Sequence, residues 1–143
     1  MVIVCDFDDT TADRNVATLL LTRFQAVRKD PLVPHWTVFR DQYRDGLISL
    51  MRYQELSFSW LASDTSLETD YVKKNAKLRP GFKELAEYCK QNNLPLVISS
   101  HGLEFYVAAL LSEYGLDYLP RSTVQTSFTE NGLEFLYPGA KQG

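Results

Sequence analysis

The chain has 143 residues, of which 45% are hydrophobic and 13% aromatic, so it can form one domain around a buried core. Its formal net charge of -3 gives no general attraction to nucleic acid or to anionic lipid. No apolar run approaches the roughly 20 residues of a membrane helix, and the N-terminus lacks the basic segment of a secretory signal. We therefore expect a cytoplasmic protein without nucleic-acid or membrane partners, in which Cys5 and Cys89 are reduced core thiols.

The first predicted element is a short strand that ends in a polar cluster. Residues 2–5 form an apolar, β-branched run, which is typical of a strand covered on both faces. Residues 6–11 read DFDDTT and bring three carboxylates and two hydroxyls to the end of that run. After the cluster, apolar residues recur three and four positions apart, which predicts an amphipathic helix over residues 14–28.

The middle of the chain is predicted to be helical. Helical spacing of apolar residues predicts further helices over about residues 36–43, 47–61 and 68–76. Asp30-Pro31 and Asp45-Gly46 separate these segments, because proline and glycine interrupt helices. No linker in this stretch is long enough to suggest independent domains.

The second half of the chain alternates between helices and strands. It predicts a helix after Arg79, a buried strand over residues 94–98, and a helix from Leu103 to a stop at Gly115. The strand is followed by a second polar cluster, residues 99–102, which read SSHG. Strands over residues 123–128 and 133–137 flank a hairpin turn.

This order of elements predicts an α/β fold with parallel strands and right-handed crossovers. In such sheets, ligands bind at the carboxyl ends of the strands. Both polar clusters, residues 6–11 and 99–102, come at a strand end. We therefore expect the two clusters to face one crevice.

The two clusters carry a family resemblance. Residues 6–10 match the DxDxT signature of the haloacid dehalogenase (HAD) superfamily, at the end of the first strand where that family has it. Residues 97–106 resemble the second motif of its phosphoserine-phosphatase-like branch, with Ser100 as the functional serine, Gly102 two positions later and Ser99 as the alternative. Residues 36–61 are similar to the cap of the methionine-salvage phosphatases that act on 2-hydroxy-3-keto-5-methylthiopentenyl 1-phosphate.

The resemblance implies a HAD-like Rossmannoid parallel sheet with an inserted helical cap. Residues 1–12 and 79–143 would form the core, and residues 13–78 would form the cap over the strand ends. It also implies a Mg²⁺-dependent phosphomonoesterase that acts on a small phosphorylated metabolite. Phosphoserine and the methionine-salvage enol phosphate are both open as substrates, and the oligomeric state is open too.

The same resemblance assigns roles to individual residues. Asp6 would be the nucleophile that forms an aspartyl phosphate, and Asp8 the general acid and base, duties that require two carboxylates in different environments. Mg²⁺ would be held by the Asp6 carboxylate and the Asp8 backbone carbonyl, while Ser100 would donate to the phosphate. Lys141 follows the hairpin and is the candidate for the lysine that neutralises the phosphoaspartate.

Other interpretations of these residues compete with the resemblance. Residues 6–11 could be a turn and helix N-cap, whereas a calcium loop fails because Thr11 stands where that loop needs glycine. His101 is expected to be incidental to catalysis. Three residues of the predicted cap could select substrate or could belong to a packed or solvated helix face: Arg52, Tyr53 and Glu55.

One family element has no counterpart in the sequence. The paired-acid motif of the GDxxxD kind, which follows the lysine on a fourth strand, does not occur after residue 102. The sequence therefore predicts a C-terminally truncated chain that binds Mg²⁺ weakly, and in which residues 2–5 form an exposed apolar edge. The alternative to the phosphatase is a non-catalytic fragment or binding module with the same fold.

Overall fold

The computed structural model describes residues 1–28 and 30–139. Short strands alternate with helices, and most helices lie between the first and second strands. Leu21–Gln25 forms a wider π-helical turn that joins the first two helices. In chain order the elements are β1 Ile3–Cys5, α1 Val16–Leu20, α2 Ala26–Arg28, α3 Trp36–Arg44, α4 Leu50–Ser57, α5 Ser66–Asn75, α6 Phe82–Gln91, β2 Leu96–Leu103, α7 Glu104–Glu113, β3 Arg121–Thr129 and β4 Gly132–Leu136.

The strands of the described residues form one sheet in the order β1-β2-β3-β4. β1 pairs in parallel with β2, β2 pairs in parallel with β3, and β4 returns antiparallel to β3 as the predicted hairpin. Cys5 pairs with Ile98, so the residues that follow them lie side by side at the carboxyl end of β1. The predicted α/β fold with a parallel sheet is confirmed.

The second strand is longer than the sequence predicts. β2 runs through the polar cluster to Leu103, whereas the prediction ended it at Ile98. β3 explains the extension, because Ser99 pairs with Ser122 and Leu103 pairs with Val124, with a register shift between the two pairs. Pairing with a neighbouring strand therefore keeps these polar residues extended, which their side chains alone do not reveal.

Two other boundaries also differ from the prediction. α4 covers Leu50–Ser57 rather than residues 47–61, and the Ser49 side chain caps it by accepting from the backbone N–H of Arg52 at 3.0 Å. Phe58 and Leu61 follow the helix in turns, yet both side chains are buried. Their apolar spacing therefore indicates that the two side chains are buried in the core, and it does not indicate that the helix continues.

The prediction that β1 is covered on both faces is wrong. Val2 and Val4 are 58% and 62% exposed, whereas Ile3 and Cys5 are partly buried. Only the face that carries Ile3 and Cys5 packs against the core, and within the described residues β1 is also an edge strand. The predicted apolar edge is present.

The inserted helices share one hydrophobic core with the sheet. α5 packs against α7 and α1, and the buried side chains of Leu20, Phe58 and Val72 belong to the same cluster as Ile98 and Leu110. The helices therefore do not form a hydrophobic unit of their own. Among the residues that the structure describes, no helix is both long and apolar enough to cross a membrane.

The two ends of the inserted helical segment lie side by side. Ala12 and Leu78 form an antiparallel bridge. The backbone N–H of Asp13 donates to the Lys77 carbonyl at 2.8 Å, and that of Arg79 donates to the Thr11 carbonyl at 2.8 Å. We call this pairing of residues 11–13 with residues 77–79 the stem. It brings the chain back beside the polar cluster that follows β1.

Candidate active site

The loop after β1 is held by hydrogen bonds within itself. Asp6 Oδ1 accepts from the backbone N–H of Phe7 at 2.8 Å, and Thr11 Oγ1 donates to the Asp6 carbonyl at 2.7 Å. Asp9 has a φ of 60°, in the left-handed region that Asp tolerates better than most residues. This tight loop places the exposed Asp6 carboxylate at the carboxyl end of β1.

Arg79 holds the same loop from the stem. Its Nη2 donates to the Asp9 carbonyl at 2.9 Å and its Nε to the Thr10 carbonyl at 3.0 Å. Guanidinium geometry suits two carbonyl groups that face the same way. In the sequence, Arg79 stands out only as the residue before a predicted helix, so sequence reasoning missed this contact.

The Asp8 carboxylate is fixed at both oxygens. Oδ1 accepts from the backbone N–H of Val16 at 2.7 Å, and Oδ2 accepts from the Tyr106 hydroxyl at 2.9 Å. Burial raises the pKa of Asp8 above its ordinary value, and the charge of Asp6 acts in the same direction, while these hydrogen bonds oppose the shift. A carboxyl group that keeps its proton more readily than usual suits a general acid.

Tyr106 is a site residue that sequence reasoning missed. Its helical spacing on α7 predicts only a core position, and the side chain is indeed fully buried. Burial raises the pKa of Tyr106 well above its ordinary value, and the charge of Asp8 adds to the effect. The phenol therefore stays neutral and acts as a hydrogen-bond donor to Asp8.

Ser100 and Gly102 form the second part of the site. Ser100 Oγ accepts from the backbone N–H of Gly102 at 2.9 Å, which leaves the hydroxyl hydrogen free to turn towards another group. A Cβ atom on residue 102 would lie 2.6 Å from the Tyr106 hydroxyl oxygen and 3.1 Å from Ser100 Oγ. Glycine is therefore needed here to make room for these side chains.

The predicted crevice exists. Asp6, Asp8 and Ser100 line one cavity of about 280 Å³. Residues of the inserted helices form its other wall, namely Asn15, Ala17, Thr18, Leu21, Leu50, Tyr53, Gln54 and Phe58. The two polar clusters thus meet beneath helices α1 and α4, as their positions at neighbouring strand ends led us to expect.

Other residues with predicted or alternative roles lie around this cavity. Ser99 is exposed and lines a neighbouring cavity that also touches Asp6. The His101 ring is exposed, and its backbone carbonyl accepts from the Gln54 side chain of α4. Lys141 lies outside the described residues.

The cap residues proposed as substrate selectors are divided. Tyr53 lines the cavity, whereas Arg52 and Glu55 pair with each other at 3.7 Å and line a separate groove against the hairpin. Gln54 falls within the helix predicted over residues 47–61, at helical spacing from the apolar Leu50 and Phe58. A polar residue at a core position was the signal that could have identified it as a contact between α4 and the strand end.

The oxygen atoms at the strand end fit a hard cation in kind. Asp6 Oδ2 accepts no hydrogen bond from residues 1–28 and 30–139, and a carboxylate together with the Asp8 backbone carbonyl is the type of donor that Mg²⁺ binds. The described part of the chain contains no group of three or more His, Cys, Asp or Glu side chains that could hold a metal.

Comparison with known proteins identifies the family. The family of haloacid dehalogenase-like hydrolases matches residues 3–132. The chain is 25% identical over 141 residues to the 2-hydroxy-3-keto-5-methylthiopentenyl-1-phosphate phosphatase of Brevibacillus brevis, an alignment that covers 98% of this chain and 60% of the relative. The chain therefore spans less than two thirds of that relative's length.

Solved structures share the fold. A HAD-family hydrolase from Salmonella enterica serovar Typhi superposes with a TM-score of 0.73 at 17% identity, covering 96% of this chain and 45% of that protein. A phosphoserine phosphatase with a phospho-aspartyl intermediate analogue superposes with a TM-score of 0.64 at 15% identity, covering 94% and 61% respectively. The chain belongs to the haloacid dehalogenase-like hydrolases, as the DxDxT motif indicated.

Proposed function

We propose that this chain carries the nucleophile, the acid-base group and a phosphate-binding serine of a Mg²⁺-dependent phosphatase of small phosphorylated metabolites. The observation that supports this most directly is the meeting of Asp6, Asp8 and Ser100 in one cavity. The Brevibacillus relative is named as a phosphatase, and the related phosphoserine phosphatase structure holds an analogue of a phospho-aspartyl intermediate. Residues 1–12 and 79–143 serve as the core, and residues 13–78 serve as a cap over the site.

The reaction uses the two carboxylates in turn. An Asp6 oxygen attacks phosphorus while the bond to the leaving oxygen breaks, and the Asp8 carboxyl gives its proton to that oxygen. The Asp8 carboxylate then takes a proton from water as the water oxygen attacks phosphorus and the bond between phosphorus and the Asp6 oxygen breaks, which releases phosphate and restores both carboxyl groups. The raised pKa of Asp8 supports this double duty.

Several groups of the chain balance the negative charge of the phosphate. Asp6 and the Asp8 carbonyl would hold Mg²⁺, which offsets the repulsion between the Asp6 carboxylate and the phosphate when it is bound. The Ser100 hydroxyl donates its free hydrogen to a phosphate oxygen. Lys141 is proposed to neutralise the phosphoaspartate.

The cavity wall favours one of the two open substrates. Leu21, Leu50 and Phe58 give it an apolar side, and the residues described as lining it include no Arg or Lys. Phosphoserine carries a carboxylate that would lack a cationic partner there, since burying an unpaired charge is costly. The enol phosphate named for the Brevibacillus relative has an apolar methylthio tail that fits this wall.

The test is Asp6→Asn in a phosphate-release assay with Mg²⁺, over a panel that contains both substrates. The substitution keeps the shape of the side chain but removes its charge, so we expect turnover to be lost and the thermal midpoint to be kept. Asp9→Asn is the matched control, because Asp9 lies in the same loop and its side chain does not line the cavity. Acid-quenched mass spectrometry should find one phosphoryl group on residues 1–14 of the wild type.

Two outcomes would count against the proposal. Turnover by Asp6→Asn within a few fold of wild type would remove Asp6 from the nucleophile's role. Failure of the wild-type chain to release phosphate from any substrate, with no phosphoryl group on residues 1–14, would favour the non-catalytic binding module.

A further inference from the structure

We propose that Tyr106 is a positioning residue, which holds the Asp8 carboxyl group in the orientation needed to give a proton to the leaving oxygen and to take one from water. The proposal rests on the function assigned to Asp8 above. It is carried by the contact between the Tyr106 hydroxyl and Asp8 Oδ2 at 2.9 Å. These residues stand 98 positions apart, so the fold alone brings them together.

Hydrogen bonds to both oxygens determine how the Asp8 carboxyl group is oriented. The Val16 N–H holds Oδ1 at 2.7 Å and the Tyr106 hydroxyl holds Oδ2 at 2.9 Å. Without the Tyr106 bond, the group would keep only the backbone N–H donors of Val16 and Ala17, and Oδ2 would lose its hydroxyl donor. Each carboxylate oxygen accepts two hydrogen bonds, so a free lone pair remains for the transferred proton.

The Tyr106 ring is itself fixed. It is fully buried on α7, and its centroid lies 6.1 Å from the ring of Phe7, the residue between the two catalytic carboxylates. The ring of Phe105 contacts it edge-on at a centroid distance of 5.7 Å. The absence of a side chain at Gly102 leaves room for its hydroxyl oxygen. A donor held this firmly can hold its acceptor in turn.

A purely structural role would have a different consequence. A buried phenol needs a hydrogen-bond partner, and losing that bond destabilises the fold whatever the partner does. Proton transfer to the leaving oxygen, however, matters in proportion to how poor that leaving group is. A misplaced Asp8 should therefore slow the first half-reaction with alkyl phosphates far more than with aryl phosphates that leave without a proton.

The experiment compares Tyr106→Phe with Tyr114→Phe in the full chain. Tyr114 lies just beyond α7, and its hydroxyl accepts from the Leu78 N–H at 3.2 Å, so its removal also costs one hydrogen bond but leaves Asp8 alone. Single-turnover rates are measured with p-nitrophenyl phosphate and with an alkyl phosphate. For Tyr106→Phe we expect a loss of about 10- to 100-fold with the alkyl phosphate and under about 3-fold with the aryl phosphate.

For Tyr114→Phe we expect equal and small effects on the two substrates. An equal loss on both substrates for Tyr106→Phe would overturn the proposal, because the phenol would then act only through stability.

A crystal structure of Tyr106→Phe gives a readout that does not depend on activity. The Asp8 carboxyl group should be rotated or split between two orientations, while Asp6 and Ser100 keep their places. An Asp8 carboxyl group that is unmoved and singly ordered would overturn the proposal. If the wild type shows no turnover, the proposed function fails, and this structure still decides whether Tyr106 positions Asp8.

Discussion

Replacing Gly102 with alanine should destabilise the protein through one contact. The added Cβ atom would lie 2.6 Å from the Tyr106 hydroxyl oxygen, a distance that requires something to move. Its other close neighbours, Ser100 Oγ and Tyr106 Cε2, would both lie at 3.1 Å and could be accommodated by a shift of a few tenths of an ångström. The 2.6 Å contact requires a larger movement of Tyr106, whose side chain is fully buried and whose hydroxyl is bonded to Asp8.

The expected magnitude follows from overpacking. Inserting a methyl group into a packed site typically costs about 1–3 kcal/mol, which corresponds to a fall in melting temperature of roughly 3–10 °C for a chain of this size. The measurement is the free energy of unfolding from urea denaturation, with the thermal midpoint beside it. Tyr106→Phe alone should cost about 1.5–3 kcal/mol, because its hydroxyl donates to a carboxylate.

The double variant tests whether the Tyr106 hydroxyl is the group that requires glycine at position 102. In the Tyr106→Phe background the nearest atom is gone, so Gly102→Ala should cost about 1 kcal/mol less than it does in the wild type. An unchanged cost in the two backgrounds would show that the hydroxyl is not what requires glycine at position 102.

Two further predictions concern the same loop. Because burial raises the pKa of Asp8, the folded state holds that proton more tightly than the unfolded chain, so the free energy of unfolding should fall as pH rises from about 4 through the raised pKa. Urea denaturation across this range should show a smaller fall for Asp8→Asn, and an equal fall would contradict the assignment. Arg79→Ala loses the bonds to the Asp9 and Thr10 carbonyls and should cost about 1–2 kcal/mol in the same assay. Arg79→Lys should restore only part of that loss, since one ammonium group does not reproduce the guanidinium fork, and full rescue by lysine would refute this account.

The sequence was sufficient to predict those features of the fold that follow from short motifs and from the order of strands and helices. The DxDxT motif, the polar cluster around Ser100 and the alternation of strands and helices were enough to predict the parallel sheet and the shared crevice. That prediction needed no long-range contact, because neighbouring parallel strands always deliver their carboxyl ends to one edge. In this structure Cys5 pairs with Ile98, and the side chains of the two polar clusters that follow them therefore lie close together.

The contacts that were missed depend on distant residues. Tyr106 has the spacing of an ordinary core residue, and nothing near it in the sequence reports that its hydroxyl meets Asp8. The sequence predicts the open edge of β1, but the exposed face that carries Val2 and Val4 could not be read from their apolar neighbours, because it depends on what packs against that face. The extension of β2 through Ser99 likewise depends on its pairing with Ser122. These features belong to the assembled sheet rather than to any one segment.

The stem has a consequence for how such a chain can change over time. Because residues 11–13 and 77–79 are hydrogen-bonded neighbours, the chain leaves the sheet and returns at almost one point. Loop-closure cost grows only slowly with length, so those parts of the segment that lie outside the shared core can be lengthened or shortened without moving the strands on either side. Residues of the segment that line the cavity, such as Leu50 and Tyr53, can therefore diverge while the loop after β1 keeps its geometry.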